Sequence, residues 1–271
     1  MTDTTVDNTS VFDAVMEERR SKRRQYAVAG AVVLVASLWA AWGTDFNIPK
    51  LITGIPSIID LFGRMLPPDL SILPILVRPM IETLQMALLG TTIPIFFALP
   101  LAFLAAANTS PHPVVSALVR VVIGTLRTVP ELIWAMVLVT AVGLGPFPGV
   151  LALTLHSMGG LGKFYYEAIE ATDPGVVEAM EAAGAGRFKV IWYGIMPNVI
   201  PIMMSSTLFY WEYNNRASTV LGLVGAGGIG LVLTQALQDF RYPEVITCLI
   251  LIVLILVVID RISAHLRAKI I

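Results

Sequence analysis

Side chains able to do chemistry are few in this 271-residue chain, and most of those that stand out come as opposite charges four apart. Arg127 and Glu131 form one such pair and Glu212 and Arg216 another, a spacing that lets the charges meet across one helical turn. Asn214 and Asn215 lie inside the second pair. Both pairs border long apolar stretches, where an ionisable group is costly unless it faces protein, water or a counter-charge. Two readings stay open: structural ion pairs near an interface, or cations that draw an anion into a polar route. His156 is the only histidine within an apolar stretch and has Thr154 and Ser157 beside it. A lone histidine in that setting reads as a hydrogen-bonded packing residue rather than a metal ligand.

A glycine cluster, Gly225-x-Gly227-Gly228-x-Gly230, matches the dinucleotide-binding spacing. That chemistry needs a strand before the glycines, a helix after them and an acidic residue about 20 positions on. Here the cluster separates two apolar stretches, so the expectation is a tight loop around Gly227 and Gly228, or close packing of backbone on a neighbouring helix. No nucleophile with a base partner, no HExxH and no phosphate-loop lysine motif is present. His156 with Ser205 or Ser206 is the one combination an intramembrane enzyme would have to use, and its spacing does not support that role. The expectation is that the chain is not an enzyme and that its energy source lies elsewhere. One cysteine, Cys248, excludes a disulfide framework or a cysteine metal cluster within the chain. No metal and no bound cofactor are expected, and a net charge of −1 argues against nucleic acid as a partner.

The elements carrying these residues must live in lipid. Charged residues make up 14% of the chain, against about a quarter in soluble domains. Residues 26–44, 86–107, 132–162, 190–211 and 245–259 contain no Asp, Glu, Lys or Arg. Roughly 20 apolar residues cross a bilayer as a helix, and lipid offers the backbone no other hydrogen-bond partner. The pattern gives an all-α membrane protein with six crossings near 25–43, 78–107, 126–143, 148–170, 194–216 and 242–262. Pro94 and Pro100 are expected to kink the second crossing. Residues 1–24 form a tail ending in Arg19, Arg20, Lys22, Arg23 and Arg24, and Arg261, Arg267 and Lys269 mark the other end. Positive charge favours the cytoplasm, so both termini are expected inside, with residues 25–271 as the membrane domain. Ile55, Ile58, Ile59 and Phe62 fall at helical spacing between the first two crossings and suggest a short helix lying on the outer interface.

Residues 173–193 are then cytoplasmic. Asp173 suits a helix cap, Pro174 the first helical position and Gly184 a left-handed stop. The expected form is a helix of about ten residues, a turn, and a second short helix ending at Pro197. Val176, Val177, Met180 and Ala183 fall on one side and Glu178 and Glu181 on another. Such a helix is either a plain hairpin or a handle for a partner.

Glu178-Ala179, Gly184 and Pro197 have the spacing of the loop found in membrane subunits of ABC importers, with Met180, Gly194 and Met196 departing mildly from its usual residues. Glu82–Thr91, Arg127-Thr-Val-Pro-Glu-Leu-Ile-Trp134, Val142–Phe147, Gly160–Lys163, Trp211–Arg216 and Val220–Gly230 come in matching order. The chain resembles the phosphonate-uptake permease family (PhnE type) over nearly everything after residue 75. The resemblance implies a methionine-permease-like (type I importer) core with an added N-terminal helix, in the cytoplasmic membrane of a bacterium. It implies a second copy of the chain, two cytoplasmic ATPase subunits carrying ATP and Mg, and an extracytoplasmic substrate-binding protein. Glu178, Ala179, Glu181, Gly184, Arg187 and Pro197 would couple to the ATPase. Arg127, Glu131, Glu212, Asn214, Asn215, Arg216, Gly227 and Gly228 would border the pathway. The implied cargo is phosphonate, phosphite or phosphate, with another small solute such as an amino acid as the alternative. A self-sufficient channel or secondary transporter would leave the 173–193 loop without a role.

Overall fold

The protein is represented by a computed structural model that describes residues 8–270. It divides into two units, Met1–Leu61 and Phe62–Ile271. Among the described residues there is no strand.

In the first unit α1 runs over Asn8–Gly43 and α2, which continues past the boundary, over Ile48–Met65. Residues 1–7 of the expected tail lie outside the described residues. From Asn8 onward the tail is already helix, because no glycine or proline interrupts it before Gly30. Its apolar part, Lys22–Gly43, is 22 residues long and thus about 33 Å, enough to cross. Trp39 and Trp42 stand exposed near its C-terminal end, as interface anchors do. In α2, which the Asn47 side chain caps by accepting from Lys50 N–H at 3.0 Å, Leu51, Ile52, Ile55, Ile58, Ile59 and Phe62 share one face. Lys50, Thr53, Ser57, Asp60 and Arg64 share the other, so this helix has the amphipathic form expected of one lying on an interface.

The second unit contains α3 (Leu73–Ala105), α4 (Pro113–Thr128), α5 (Glu131–Val142), α6 (Pro146–Glu170), α7 (Pro174–Ala182), α8 (Arg187–Lys189), a π-helical stretch (Val190–Ile195), α9 (Met196–Leu221), α10 (Gly228–Gln238) and α11 (Tyr242–Ile270). Three stretches are individually long and apolar enough to cross, namely Lys22–Gly43, Leu70–Ala105 and Tyr242–Ile270. Counting each of two bent pairs as one span raises the number to five. The central α6 is 25 residues long but less apolar. It packs against α3, α4, α5 and α9, and 14 of its residues are buried, so protein rather than lipid is its main neighbour. Ala98 and Ala102 of α3 meet Leu161, Tyr165 and Ile169 of α6 and Val199 and Met203 of α9 in the largest core cluster. Small residues there allow the close helix approach on which membrane packing depends.

Two expected boundaries are corrected. The crossing expected at 126–143 is not one helix: α4 ends at Thr128 and the chain bends by 84° before α5 begins. Pro130 has no N–H to continue the ladder and pushes Val129 into extended backbone, with ψ 118°. Pro197, by contrast, ends nothing. Helix runs from Arg187 through the π-helical stretch into α9, and the wider π turn takes up the proline's missing donor and its ring. Likewise α3 continues through Pro79, Pro94 and Pro100.

Candidate functional site

The local chemistry of residues 173–184 produces the helix the sequence suggests. Asp173 accepts from Gly175 N–H at 2.9 Å, Pro174 opens α7, and Gly184 closes it at φ +78°. Val176, Val177 and Met180 are half-buried, and Val176 and Met180 lie over Gly194 of the π-helical stretch. An added Cβ at 194 would already touch both at 3.5 Å, leaving no room on that side for a longer side chain. Glu178, Ala179, Glu181 and Ala182 are exposed together on the opposite side. The apolar side of α7 is therefore spent on its own chain, and the side left free carries two carboxylates among small alanines.

Arg187 is committed inward. Its Nη2 donates to Ser110 O at 2.7 Å and to Thr109 O at 3.4 Å, tying the segment after α7 to the loop between α3 and α4. That loop is itself anchored: Glu170 pairs with Arg120 and accepts from Ala107 N–H at 2.6 Å, and Asn108 donates to Ile169 O at 2.8 Å. Pro197 is the second residue of α9 and acts through backbone geometry.

A polar layer crosses the middle of the second unit. Asn214 of α9 is fully buried; its Nδ2 donates to Gly90 O at 3.0 Å and to Thr91 Oγ1 at 2.9 Å, and its Oδ1 accepts from Ser157 Oγ at 3.1 Å. Gly90 O is the carbonyl that Pro94, four residues on, cannot serve. Asn214 thus joins α3, α6 and α9. Asn215 is also buried; its Nδ2 donates to Trp211 O at 2.7 Å and its Oδ1 has no partner among the described residues. One residue before Ser157, His156 stacks on Tyr213 with centroids 5.7 Å apart, bonds to Val129 O at 3.2 Å and lies 3.8 Å from Glu131. Glu131 opens α5, where a carboxylate favours the helix dipole. The 84° bend separates it from Arg127, so the two do not share a helix face, and Arg127 is exposed. His156 is the eleventh of the 25 residues of α6, so this corner packs against the middle of that helix and not its end.

Glu212 and Arg216 do not pair with each other. Glu212 pairs with Arg267, and Arg216 Nη2 reaches both Asp260 oxygens at 2.9 and 2.8 Å. Both partners are on α11, a neighbour of α9 that brings stronger geometry than a turn of one helix. Glu212 is 13% exposed, so Arg267→Ala strands a carboxylate in a dry site. The expected cost is roughly 2 kcal/mol, seen as a lower unfolding midpoint in detergent, and Glu212→Gln in the same chain should recover most of it. Equal midpoints for the single and double variants would contradict this. Gly227 and Gly228 are buried with φ +78° and +70° and pack on Pro146 and on Thr83 and Met86. Ile229 N–H at the start of α10 donates to Thr83 Oγ1 at 2.9 Å, so these glycines serve packing, with helix before and after them.

A helical membrane unit with discontinuous spans, a buried polar layer and an amphipathic helix offered on its surface has the parts of a membrane subunit driven by a partner. The chain belongs to the binding-protein-dependent transport system inner membrane components, a family matched over residues 98–271. It is 45% identical, over 88% of its length and 86% of the relative's, to the phosphite transport system permease protein PtxC of Stutzerimonas stutzeri. It is 44% identical to the phosphate-import permease protein PhnE of Mycolicibacterium smegmatis, covering 81% of this chain and 42% of that one. In fold it matches a chain of the MetNI methionine ABC transporter, solved in inward-facing conformations, with a TM-score of 0.65 at 19% identity over 75% of this chain and 99% of that one. The chain is thus an inner-membrane ABC permease with a methionine-permease-like fold.

Proposed function

We propose that this chain forms the transmembrane pathway of an ATP-driven importer for a phosphorus oxyanion, with phosphite, phosphate and phosphonate as the cargo class. The observation that carries the reading is the free face of α7, Glu178, Ala179, Glu181 and Ala182, in a chain whose close relatives are named as phosphite and phosphate permeases. Two cytoplasmic ATPase subunits binding ATP and Mg would seat that face, and an extracytoplasmic binding protein would deliver the anion. A second permease chain, another copy of this one or a paralogue, would complete the pathway. Both termini would then be cytoplasmic and the protein would cross six times, with α6 as one crossing. The chain would do no chemistry itself.

Movement of α7 is passed on by rigid contacts: directly to the π-helical stretch and α9 through Gly194, and to the α3–α4 loop through Arg187. The corner at Arg127 and Glu131 and the layer beside it lie where such motion would open or close a route. An anion in a low-dielectric passage is costly, so the route should be wet and weakly binding, leaving specificity to the binding protein. The assembled complex in proteoliposomes should hydrolyse ATP faster with phosphite, phosphate or methylphosphonate plus the binding protein, and not with methionine. Stimulation by methionine alone would overturn the cargo assignment.

Arg216 separates two roles by simple substitution. The pair with Asp260 is about half exposed, so breaking it should cost no more than about 1 kcal/mol. If Arg216 attracts the anion, Arg216→Ala slows uptake while Asp260→Ala does not, with both complexes intact. Equal effects of the two changes would reduce Arg216 to its pairing role.

A further inference from the structure

The corner between α4 and α5 leaves a carbonyl that the local backbone does not serve. Ile133 and Trp134, the first donors of α5, both bond to Pro130 O, and Pro130 itself has no N–H. Among the described residues, the hydrogen bond to Val129 O comes from His156, whose Nδ1 is 3.2 Å away. His156 lies ten residues from the start of α6 and 14 from its end, about 15 and 21 Å along the axis. Val129 is half-buried and the His156 side chain is 13% exposed, and a backbone carbonyl withdrawn from water without a partner is costly.

A carbonyl only accepts, so the bond requires hydrogen on Nδ1 and thereby orients the whole ring. The ring then lies flat against Tyr213 of α9, with planes 21° apart, and turns Nε2 toward the Glu131 carboxylate at 3.8 Å. A single imidazole therefore joins the end of α4, the first residue of α5 and the face of α9. Arg127 stands two residues before the carbonyl that His156 holds. Next along α6, Ser157 shares Asn214, which serves the carbonyl freed by Pro94. Two defects in the helical backbone are thus closed side by side, one by an amide and one by an imidazole.

We propose that His156 is a positioning residue of the passage: its Nδ1–H pins the α4–α5 corner to α6 and so sets where Arg127 and Glu131 stand. The proposal rests on the reading of that corner as part of the anion route.

Three substitutions separate the nitrogens. His156→Asn can place an amide N–H where Nδ1–H stands, His156→Gln places one nearer Nε2, and His156→Ala offers neither. In the assembled transporter, His156→Asn should keep uptake within about threefold of the wild type, whereas Gln and Ala should lower phosphite moved per ATP hydrolysed by about tenfold, with subunit composition unchanged. A second readout follows position directly. Cys248 is the only native cysteine and is buried, so Arg127→Cys can be labelled with a water-soluble thiol reagent over a low background. Its labelling rate should change several-fold with His156→Gln or His156→Ala and stay unchanged with His156→Asn. Identical labelling in all four backgrounds, or Gln serving as well as Asn, would overturn the positioning role. A labelling change with normal uptake would keep that role and remove the corner from the anion route. Loss of uptake that merely tracks loss of assembled complex would assign His156 to stability alone.

Discussion

Gly184→Val should lower uptake by about tenfold or more while the chain is still made and inserted. Gly184 takes φ +78°, and nothing lies within 4 Å of where its Cβ would be, so the obstacle is the backbone and not space. A β-branched residue in the left-handed region costs roughly 1–3 kcal/mol, which is enough to favour another path for the chain over residues 183–186. That path sets the angle between α7 and the helix that follows. Ala185 N–H to Met180 O at 3.0 Å and Gly184 N–H to Glu181 O at 2.9 Å both depend on it. Under the proposed function α7 is the surface offered to the ATPase, so its misplacement should weaken ATPase co-purification as well as uptake. Gly184→Asn should come close to the wild type, because asparagine tolerates this conformation. Wild-type uptake by Gly184→Val would remove α7 from the coupling path.

Gly230→Val should fail earlier, at folding. A Cβ at Gly230 would run into the Thr219 carbonyl and Gly222 Cα, both backbone, where the end of α9 crosses the start of α10. No side-chain rotation relieves contact with backbone, so the helices must separate. The cost should reach about 3 kcal/mol, at or above the top of the usual overpacking range. The expected result is little monodisperse protein in detergent and no uptake, and a profile like the wild type would contradict the packing role. The glycine cluster that matches a nucleotide fingerprint by spacing is explained by this crossing.

The sequence made legible what depends on near neighbours. Charge-free runs marked the apolar helices, and Asp173, Pro174 and Gly184 marked the ends of α7 within about a residue. The amphipathic α2 followed from the spacing of its isoleucines. Ion pairing did not follow, since Glu212 and Arg216 find partners 55 and 44 residues away on α11. Nor did the consequence of each proline. Pro94, Pro130 and Pro197 look alike in sequence, yet only Pro130 ends a helix. What differs is who serves the freed carbonyl: Asn214 for Pro94, and a π turn that reshapes the ladder before Pro197. At Val129 His156 supports a bend instead. Those partners come from distant parts of the chain. A proline four residues after a glycine, with adjacent asparagines beside another apolar stretch, was the one available hint for Asn214.

Whether α7 faces the cytoplasmic motor is open to direct measurement in membranes. Ala182→Cys, exposed on the free side of α7, should react with an impermeant thiol reagent in inside-out vesicles and not in right-side-out ones. Addition of the ATPase subunits should protect it, and a short bifunctional cross-linker should join it to them. Labelling from the outer side, or indifference to the ATPase, would contradict the function proposed for this chain.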